Sequence, residues 1–476
     1  MVAQICKTKS APALIAQIDE LFHPRSIAVV GAPRGMKTGA VFLLGLLEQG
    51  FPGPIYPVNP QAEEINGLKT YPKVGDIPGP VDLAIVLVPQ QNSLAVVREL
   101  AAKGVKGAVL FTAGYKETGS SEGQALEEEL VRLARQAGMR LIGPNGMGLY
   151  CPKTGLSFSP GVSRESGSVG IVSHSGSLTI ILGRLAPCKG IRFSKVISSG
   201  NDGDLTAADF LTYLGHDPET GLIGVYLEGV KNGPYFLSAL KEACLKKPVI
   251  IWKVGLTPEG SRASASHTGA LAGSRKVWQA VERQAGAIPV VGFEAWVDAL
   301  MGFSLLPEDL GRNMAVISGP GGLAVSAAEA CGNEGLGLAS LSEPTKSSLA
   351  EFVPSTGTSL QNPVDVSLSA HFDLTIFKRA AEIVARDPGV DALVIIGGGL
   401  SPEDNQTFIR YMIAVQQDLG KPLVMVRIPG GDSNLSRQFC RAGIPFFDSA
   451  ERAMRAYAQV FRYQRWRQKK AELEQV

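Results

Sequence analysis

Three stretches of the chain repeat one pattern, in which a buried strand runs through a glycine-containing loop into a helix. They begin at Ser26, Ser168 and Met314 and read "SIAVVGAPRGMKTGAVFLLGLL", "SVGIVSHSGSLTIILGRL" and "MAVISGPGGLAVSAAEA". A strand joined to a helix in this way is the opening unit of a parallel sheet that carries helices on its faces. The sequence therefore predicts an α/β protein with three separate sheets.

Further apolar runs supply the remaining strands of each sheet. They are "PIYPV", "VDLAIVLV", "GAVLF" and "MRLIG" in the first segment, "FSKVISSG", "LIGVYLEG", "PVIIWKVG" and "AIPVVG" in the second, and "DALVIIGGG" and "PLVMVRIP" in the third. Pro, Gly and Ser cluster near 150–165 and 305–312, where we expect domain boundaries. The expected organisation is an N-terminal extension over 1–22, domains over 23–150, 165–305 and 312–460, and a charged C-terminal helix over 461–476.

The composition favours a protein that acts on small molecules inside the cell. Its 46 basic and 44 acidic side chains create no overall field that would attract nucleic acid or a membrane. Six scattered cysteines without a C-x-x-C pair predict neither a metal site nor a disulfide framework, which fits a reducing cytoplasm. No apolar run is long enough to span a membrane, and the N-terminus lacks the apolar core of a signal peptide. We therefore expect a cytoplasmic protein with no nucleic-acid or membrane partner.

The first glycine loop, "VVGAPRGMKTG", has the position of a phosphate-binding loop. It follows a strand and opens a helix, whose N–H groups and dipole suit a phosphate. The usual NAD fingerprint is absent, because the glycines are Gly31, Gly35 and Gly39 and because Asn59, not a carboxylate, follows the second strand. A nucleotide with a phosphate on its ribose, such as coenzyme A, would be repelled by a carboxylate there. The alternative is a loop that serves only as a tight turn.

His267 stands in "RASASHTGALAG", among small residues that leave room around its imidazole. We expect this stretch to be a loop that follows the strand "PVIIWKVG" and leads into a helix near Ser274. The neighbouring hydroxyl and backbone N–H groups can stabilise phosphoryl oxygens, and a neutral imidazole is a good nucleophile. A histidine on an apolar face is usually structural, but His267 is on no such face. The pattern therefore indicates a histidine that accepts a phosphoryl group.

Two strand ends in the same predicted sheet supply what a phosphohistidine needs. After "SVGIVS" a helix begins near Ser175, Gly176 and Ser177, whose amides would form an anion cradle. After "LIGVYL" comes Glu228, at the carboxyl edge where α/β sheets place their sites. Its carboxylate can accept a hydrogen bond from one imidazole nitrogen and leave the other nitrogen free to attack. The alternative for Glu228 is an exposed charge at the end of a strand.

Seven spaced motifs together resemble those of the α subunits, or α-like halves, of the ADP-forming acyl-CoA synthetases, relatives of succinyl-CoA synthetase. The similarity extends over almost the whole chain. The motifs are "YPVNP", "IGPNG", "IVSHSG", "SSGNDGD", "VYLEGV", "SHTGALAG" and "QNPVDV".

The resemblance implies a CoA-binding Rossmann domain followed by two flavodoxin-like domains of the CoA-ligase type. It implies a ligase that interconverts acyl-CoA, ADP and phosphate with a carboxylic acid, ATP and CoA, through an acyl phosphate and a phosphohistidine. In that chemistry His267 carries the phosphoryl group and Glu228 positions it. The phosphate would be held by Ser175, Gly176 and Ser177. The CoA-binding residues that the resemblance implies are Gly31, Ala32, Gly39, Asn59, Pro60 and Asn145.

The nucleotide-binding ATP-grasp module of this family has no counterpart in the sequence, because the three α/β segments leave no residues for it. The resemblance therefore implies a separate ATP-grasp β subunit that binds Mg-ADP or Mg-ATP, in an α2β2 assembly. The small-molecule partners that it implies are coenzyme A and a small carboxylic acid or its acyl-CoA. We expect that the chain alone does not complete a turnover to ATP.

Several positions depart from the motifs of the family. Pro33 replaces a serine and removes a hydroxyl and an N–H from the first loop, and Gln61 replaces a lysine and removes a charge. Gly146 replaces a cysteine, and Asp204 is the one clear match to an acid-rich turn. These changes bear on CoA affinity and on the acyl group accepted. His174 replaces a glutamine inside the proposed cradle, and we interpret it as a simple substitution; the alternative is a histidine that binds phosphate or is itself phosphorylated.

Two other functions compete with the ligase hypothesis. A CoA or acyl-CoA sensor or scaffold would keep the fold and lose turnover, and the changes at Pro33 and Gln61 motivate this alternative. A carbamoyl- or acyl-transferring relative would use the same domains without a phosphohistidine, but the intact "SHTG" loop would then have no role.

Overall fold

The structure, a computed structural model, describes residues 11–268, 273–430 and 434–474, of which 265–268, 471, 473 and 474 are described by their backbone only. It contains three sheets of mainly parallel strands with helices between them, which confirms the predicted α/β class. Two compact units divide the chain. One holds the described residues up to Arg184 together with Arg192–Val291, and the other holds Leu185–Ile191 and the described residues from Gly292 onward.

The first sheet occupies the N-terminal third of the chain. Its segment contains α1 (Ala11–Phe22), β1 (Ile27–Val30), α2 (Ala40–Gln49), β2 (Ile55–Val58), β3 (Glu64–Ile65), β4 (Leu68–Lys69), β5 (Leu83–Val86), α3 (Ser93–Lys103), β6 (Gly107–Leu110), α4 (Ser121–Gln136) and β7 (Arg140–Ile142). The parallel sheet has the order β2-β1-β5-β6-β7, and β3 and β4 form a separate hairpin. All five strands that the sequence predicts here are confirmed.

Burial explains why these short apolar runs are strands. All four residues of β5 are buried, as expected for a central strand that is covered by helices on both faces. Side chains of Val97, Leu100 and Leu130 from the covering helices pack against the sheet in one core cluster. Ser120 is the N-cap of helix α4, and its hydroxyl accepts a hydrogen bond from the Gly123 amide.

The second sheet carries the residues of the proposed phosphate chemistry. Its segment contains β8 (Gly148–Tyr150), β9 (Ser166–Ser173), α5 (Gly176–Leu185), β10 (Phe193–Ser198), α6 (Ala207–His216), β11 (Leu222–Leu227), α7 (Gly233–Lys246), β12 (Val249–Lys253), α8 (Pro258–Thr268), α9 (Arg275–Ala285) and β13 (Ile288–Pro289). The order is β13-β12-β11-β9-β10-β8, parallel except for β8, which pairs antiparallel with β10. The sequence does not predict β8.

Contacts within the first unit tie the two segments together. The buried carboxylate of Asp204 accepts hydrogen bonds from Arg135 and Arg140 and from the amide of Leu141. This one match to the acid-rich turn is thus an anchor between the first and second segments. Helix α1 packs on α6, where Phe22 stacks on Tyr213 with ring centroids 5.5 Å apart.

The third sheet belongs to the second unit. Its segment contains α10 (Phe293–Leu305), β14 (Asn313–Ser318), α11 (Gly321–Asn333), β15 (Gly337–Leu338), α12 (Glu343–Ala350), β16 (Val364–Asp365), α13 (Thr375–Ala385), β17 (Ala392–Ile396), α14 (Pro402–Leu419), β18 (Leu423–Val426), α15 (Leu435–Arg441), β19 (Phe446–Phe447) and α16 (Ala450–Glu474). The order is β15-β14-β17-β18-β19, and β16 also pairs with β14. Residues 461–474 continue the long helix α16. Within the described ranges, no helix combines the length and apolarity that a bilayer span requires.

Candidate functional site

Two neighbouring strands of the second sheet, β9 and β11, end at one place. They are parallel and hydrogen-bonded to each other, with Val172 opposite Val225 and Ser173 opposite Tyr226. Their carboxyl ends therefore lie at the same edge of the sheet, where α/β proteins build their sites. The Ser175 turn follows β9 and Glu228 follows β11, so the structure brings these two predicted site elements together.

The turn at Ser175 leads into the N-terminus of α5. The Ser175 amide donates to the Ser173 hydroxyl at 3.0 Å, and the Ser175 hydroxyl lies 3.2 Å from that of Ser177. A Cβ at Gly176 would come within 2.6 Å of Met147 Cγ, so a larger residue would have to displace that side chain. The Ser175 amide already has a partner, so the predicted cradle is reduced to the Ser175 hydroxyl and the helix-start amides of Gly176 and Ser177.

Glu228 is buried, with 5% of its surface exposed. The interpretation of Glu228 as an exposed strand-end charge is therefore wrong. The Tyr226 hydroxyl donates to Glu228 Oε1 at 3.2 Å, and the ammonium of Lys253 donates to the Glu228 carbonyl oxygen at 3.0 Å. Burial and the neighbouring Glu228 carboxylate raise the pKa of Tyr226 above its ordinary value, so the tyrosine remains a hydrogen-bond donor.

Lys253 is a site residue that the sequence reasoning missed. It ends β12, the strand next to β11, and its ammonium lies 5.3 Å from the ring centroid of Trp278. Burial lowers the pKa of Lys253 to about 8, although the Glu228 carboxylate acts in the opposite direction. A lysine inside the apolar run "PVIIWKVG", at the end of a strand, is the signal that could have identified it.

His174 lies between the Ser175 turn and Glu228, with 8% of its surface exposed. Its Nε2 is 3.2 Å from a carboxylate oxygen of Asp202, and its Nδ1 accepts a hydrogen bond from the Glu228 amide at 3.2 Å. Both ring nitrogens thus face protein partners, which favours the interpretation of His174 as a substitution over a phosphate-binding or phosphorylated histidine. Asp202, a non-glycine residue with φ of 54°, is a second residue that the sequence reasoning missed.

His267 belongs to helix α8, so the prediction of a loop throughout this stretch is wrong over Pro258–Thr268. The predicted helix near Ser274 is confirmed as α9, whose N-cap is Ser274. The His267 side chain and residues 269–272 lie outside the described part of the chain. Ser264 of the same helix is buried and lies beside Gly255. A Cβ added at Gly255 would lie 2.9 Å from the Ser264 hydroxyl and 3.6 Å from the Glu228 carbonyl oxygen, so both groups are close to this glycine. The body of α8 thus approaches the backbone of Glu228.

The residues proposed for CoA gather at the carboxyl edge of the first sheet. Gly31 follows β1 with φ of 82°, and Asn59, which follows β2, donates through Nδ2 to the carbonyl oxygen of Ala32 at 2.9 Å. Gly39 is the N-cap of α2 and closes the loop. Position 31 requires glycine for two reasons: its φ is positive, and a Cβ there would lie 3.0 Å from the Val88 side chain. The loop thus holds a helix N-terminus above adjacent strands β1 and β2.

A positive charge lies at this edge although Gln61 replaces the usual lysine. The Arg34 guanidinium donates to the carbonyl and side-chain oxygens of Gln61, both at 3.3 Å. The replacement of lysine by Gln61 thus removes one charge, while Arg34 brings another to the same place from the first loop.

Asn145 follows β7, at the opposite margin of the same sheet edge, and has φ of 59°. Its Nδ2 lies 3.4 Å from the Asn201 Oδ1, and Asn201 in turn donates to the carboxylates of Glu117 and Glu127. Strands β2 and β7 are the two ends of the sheet order, and the Asn145 amide donates to the carbonyl oxygen of Thr112, the second residue after β6. The proposed CoA residues therefore form two groups, and the second group adjoins the second sheet's segment.

Two family models match the chain. One is described as a CoA binding domain and covers residues 25–152, and the other is described as a succinyl-CoA ligase like flavodoxin domain and covers residues 166–303. The first range contains the two groups of proposed CoA residues. The second contains the Ser175 turn, Glu228 and helix α8.

Characterised relatives are similar over nearly the full chain. The α subunit of the ADP-forming acetate–CoA ligase II of Pyrococcus furiosus is 37% identical, over 93% of this chain and 97% of the relative. The ADP-forming acetate–CoA ligase I of Archaeoglobus fulgidus is also 37% identical, over 94% of this chain but 64% of the relative. Among solved structures, the dinucleotide-forming acetyl-coenzyme A synthetase 1 of Ca. Korarchaeum cryptofilum, in complex with phosphate and ADP, has a TM-score of 0.82 and 33% identity, over 95% of this chain and 97% of that chain.

Proposed function

The chain belongs to the α-subunit family of the ADP-forming acyl-CoA ligases, and from that premise we propose how its residues divide the reaction. The protein is a ligase with a CoA-binding domain, and the family's subunit names imply a partner subunit. The alternative of a sensor that has lost turnover receives no support from the relatives.

We assign the nucleotide end of CoA to the first group of residues and its thioester end to the second. Gly31, Ala32, Gly39, Asn59 and Pro60 surround a helix N-terminus, which suits phosphate. Asn145 adjoins Asn201 and so points the reactive end toward the second sheet.

The proposed reaction has three steps. Phosphate attacks the thioester carbonyl, the CoA thiolate leaves and takes up a proton, and an acyl phosphate forms. The imidazole of His267 then attacks phosphorus, and the carboxylic acid leaves as its anion. The phosphoryl group finally passes from His267 to ADP. Each step transfers a group between nucleophiles, so no oxidant or reductant is needed.

The residues at the second sheet's edge suit the middle step. The Glu228 carboxylate would accept the N–H of one imidazole nitrogen of His267, which leaves the other nitrogen unprotonated for attack. The Gly176 and Ser177 amides and the Ser175 hydroxyl would hold the phosphoryl oxygens, where preorganised donors act on developing charge.

We further propose that the nucleotide step takes place on an ATP-grasp β subunit that binds Mg-ADP. The single-chain relative of Archaeoglobus fulgidus supports this proposal, because 64% of its length corresponds to this chain and the rest is available for another module. An α2β2 assembly would give each α chain one such partner.

One observation carries the proposal: the Ser175 turn and the buried Glu228 lie at one sheet edge. His174, the residue before Ser175, accepts a hydrogen bond from the Glu228 amide, and the body of α8 approaches the backbone of Glu228. The proposed anion cradle and a carboxylate thus lie next to α8, whose last but one residue is His267.

The test is ATP formation by the reconstituted enzyme. The chain, the ATP-grasp protein from the same genome, acetyl-CoA, phosphate and Mg-ADP are mixed, and ATP is followed by luciferase. We expect ATP formation that requires every component. The assay is repeated with propionyl-CoA and with larger acyl-CoA substrates. Binding of CoA and acetyl-CoA without ATP formation from any of these substrates would support the sensor alternative instead.

A further inference from the structure

His174 is placed to control the backbone of Glu228. It is the first residue after β9, its amide donates to the carbonyl oxygen of Tyr226 at 3.2 Å, and its side chain reaches the Glu228 amide. Two hydrogen bonds thus connect the end of β9 to the residues on either side of the end of β11. The His174 side chain is buried, so water does not compete freely for them.

The hydrogen-bond partners fix the tautomer of His174. The Glu228 amide can only donate, so Nδ1 of His174 must be the unprotonated acceptor. Nε2 then carries the proton and donates to the Asp202 carboxylate. Asp202 is itself held in place, because the same carboxylate oxygen accepts the amide of Ala207 at the start of α6, at 2.8 Å.

Glu228 is held at three points. Its amide is bound by His174, its carbonyl oxygen by Lys253 and its carboxylate by Tyr226. The contacts at the amide and the carbonyl oxygen fix the peptide planes on both sides of the Cα atom. The direction in which the carboxylate leaves the backbone follows from them.

We infer that His174, oriented by Asp202, is a positioning residue for the phosphoryl transfer, and that it acts by holding the backbone of Glu228. This inference rests on the proposed function, in which the Glu228 carboxylate orients the phosphorylated imidazole. His174 touches no reacting atom, so its removal changes the geometry of the site and leaves the binding of CoA at the first sheet unchanged.

Glutamine is the substitution that separates positioning from packing. Its amide oxygen can accept from the Glu228 amide and its NH₂ group can donate to Asp202, as the neutral imidazole does. Leucine can fill the same space but can make neither hydrogen bond.

The experiment compares His174→Gln and His174→Leu in the complex with the ATP-grasp subunit. The initial rate of labelling of the chain by γ-labelled Mg-ATP is measured at neutral pH, and CoA affinity is measured by calorimetry. We expect His174→Leu to label about a hundredfold more slowly, the typical penalty for a misplaced catalytic group, with unchanged CoA affinity. His174→Gln should retain most of the rate, because it restores both hydrogen bonds.

A double-mutant cycle with Glu228→Gln completes the test. Because His174 acts through Glu228, the loss in the double variant should be close to that of Glu228→Gln alone. Losses that multiply, or a His174→Gln variant as slow as His174→Leu, would overturn the inference. If His174→Leu does not fold, His174→Asn takes its place, because asparagine is too short to reach both partners. Absence of labelling in the unmodified complex would instead refute the proposed function.

Discussion

The guanidinium of Arg34 lies against Gln61 at the carboxyl edge of the first sheet, where two hydrogen bonds hold it. Arg34 belongs to the loop that also contains Gly31 and Gly39. Glycines in such a loop allow the backbone to approach a ligand closely. Arginine presents a planar set of donors that matches phosphate geometry. Arg34 thus supplies, from a neighbouring loop, a positive charge beside position 61, where the family motif has a lysine.

Removal of Arg34 should weaken CoA binding. We expect Arg34→Ala to raise the Kd for CoA by about tenfold, or about 1.4 kcal/mol, because one charge-assisted hydrogen bond to a phosphate is lost. Binding of pantetheine, which has no phosphate, should not change. Calorimetry measures both ligands, and Arg98→Ala, which removes an exposed charge from α3, is the matched control. Equal weakening of CoA and pantetheine would show that Arg34 shapes the loop and does not contact phosphate.

Among the secondary-structure elements, strand β12 brings a charged residue, Lys253, to the candidate site. Lys253 ends this strand, and its ammonium lies under Trp278 of α9 while it binds the carbonyl oxygen of Glu228. Burial lowers the pKa of Lys253 to about 8, from an ordinary value of 10.5. Between these two values the unfolded chain binds more protons than the folded chain, so the free energy of unfolding rises with pH.

The comparison of the unmodified chain with Lys253→Met isolates this effect. From pH about 8 to about 10, the free energy of unfolding of the unmodified chain should rise relative to the variant, with a slope of at most about 1.4 kcal/mol per pH unit. Chemical denaturation at several pH values provides the measurement. Lys247, whose pKa burial also lowers to about 8, is present in both proteins, so its contribution cancels. A difference that stays flat over this range would contradict the assigned pKa.

The limits of sequence reasoning are also clearest for individual elements. The long apolar runs were sufficient to predict β9, β11 and β12 and hence the edge where Glu228 lies. Strands β8, β15, β16 and β19 contain two or three residues, too few for a periodic signal, and their pairing depends on tertiary packing. The sequence predicts a loop in place of helix α8 because "PEGSRASASHT" contains a glycine, three serines and a threonine, which are weak helix formers.

The candidate site divides in the same way. Glu228 and Ser175 could be placed from the sequence because each follows a recognisable strand. The roles of Asp202 and Arg34 could not, because each acts across a distance of 27 or 28 residues along the chain. Such contacts arise only when two loops fold onto each other, and no local pattern records them.

In the whole molecule, the residues proposed for CoA and those proposed for phosphate lie within one unit, on two sheets whose segments are joined through Asp204. A third sheet occupies the other unit. The proposed function assigns the nucleotide chemistry to the partner subunit that the names of the α-subunit relatives imply. The phosphoryl group must then leave the acyl donor, reside on this chain and be passed on.

Phosphorylation of His267 tests this account most directly. The chain is incubated with its ATP-grasp partner, magnesium and γ-labelled ATP, and the labelled protein is treated with acid and with base before peptide mapping. The account predicts one label per chain, labile in acid and stable in base, located on the peptide that contains His267 and absent from His267→Ala. Equal labelling of His267→Ala, or a label on the peptide that contains His174, would contradict it.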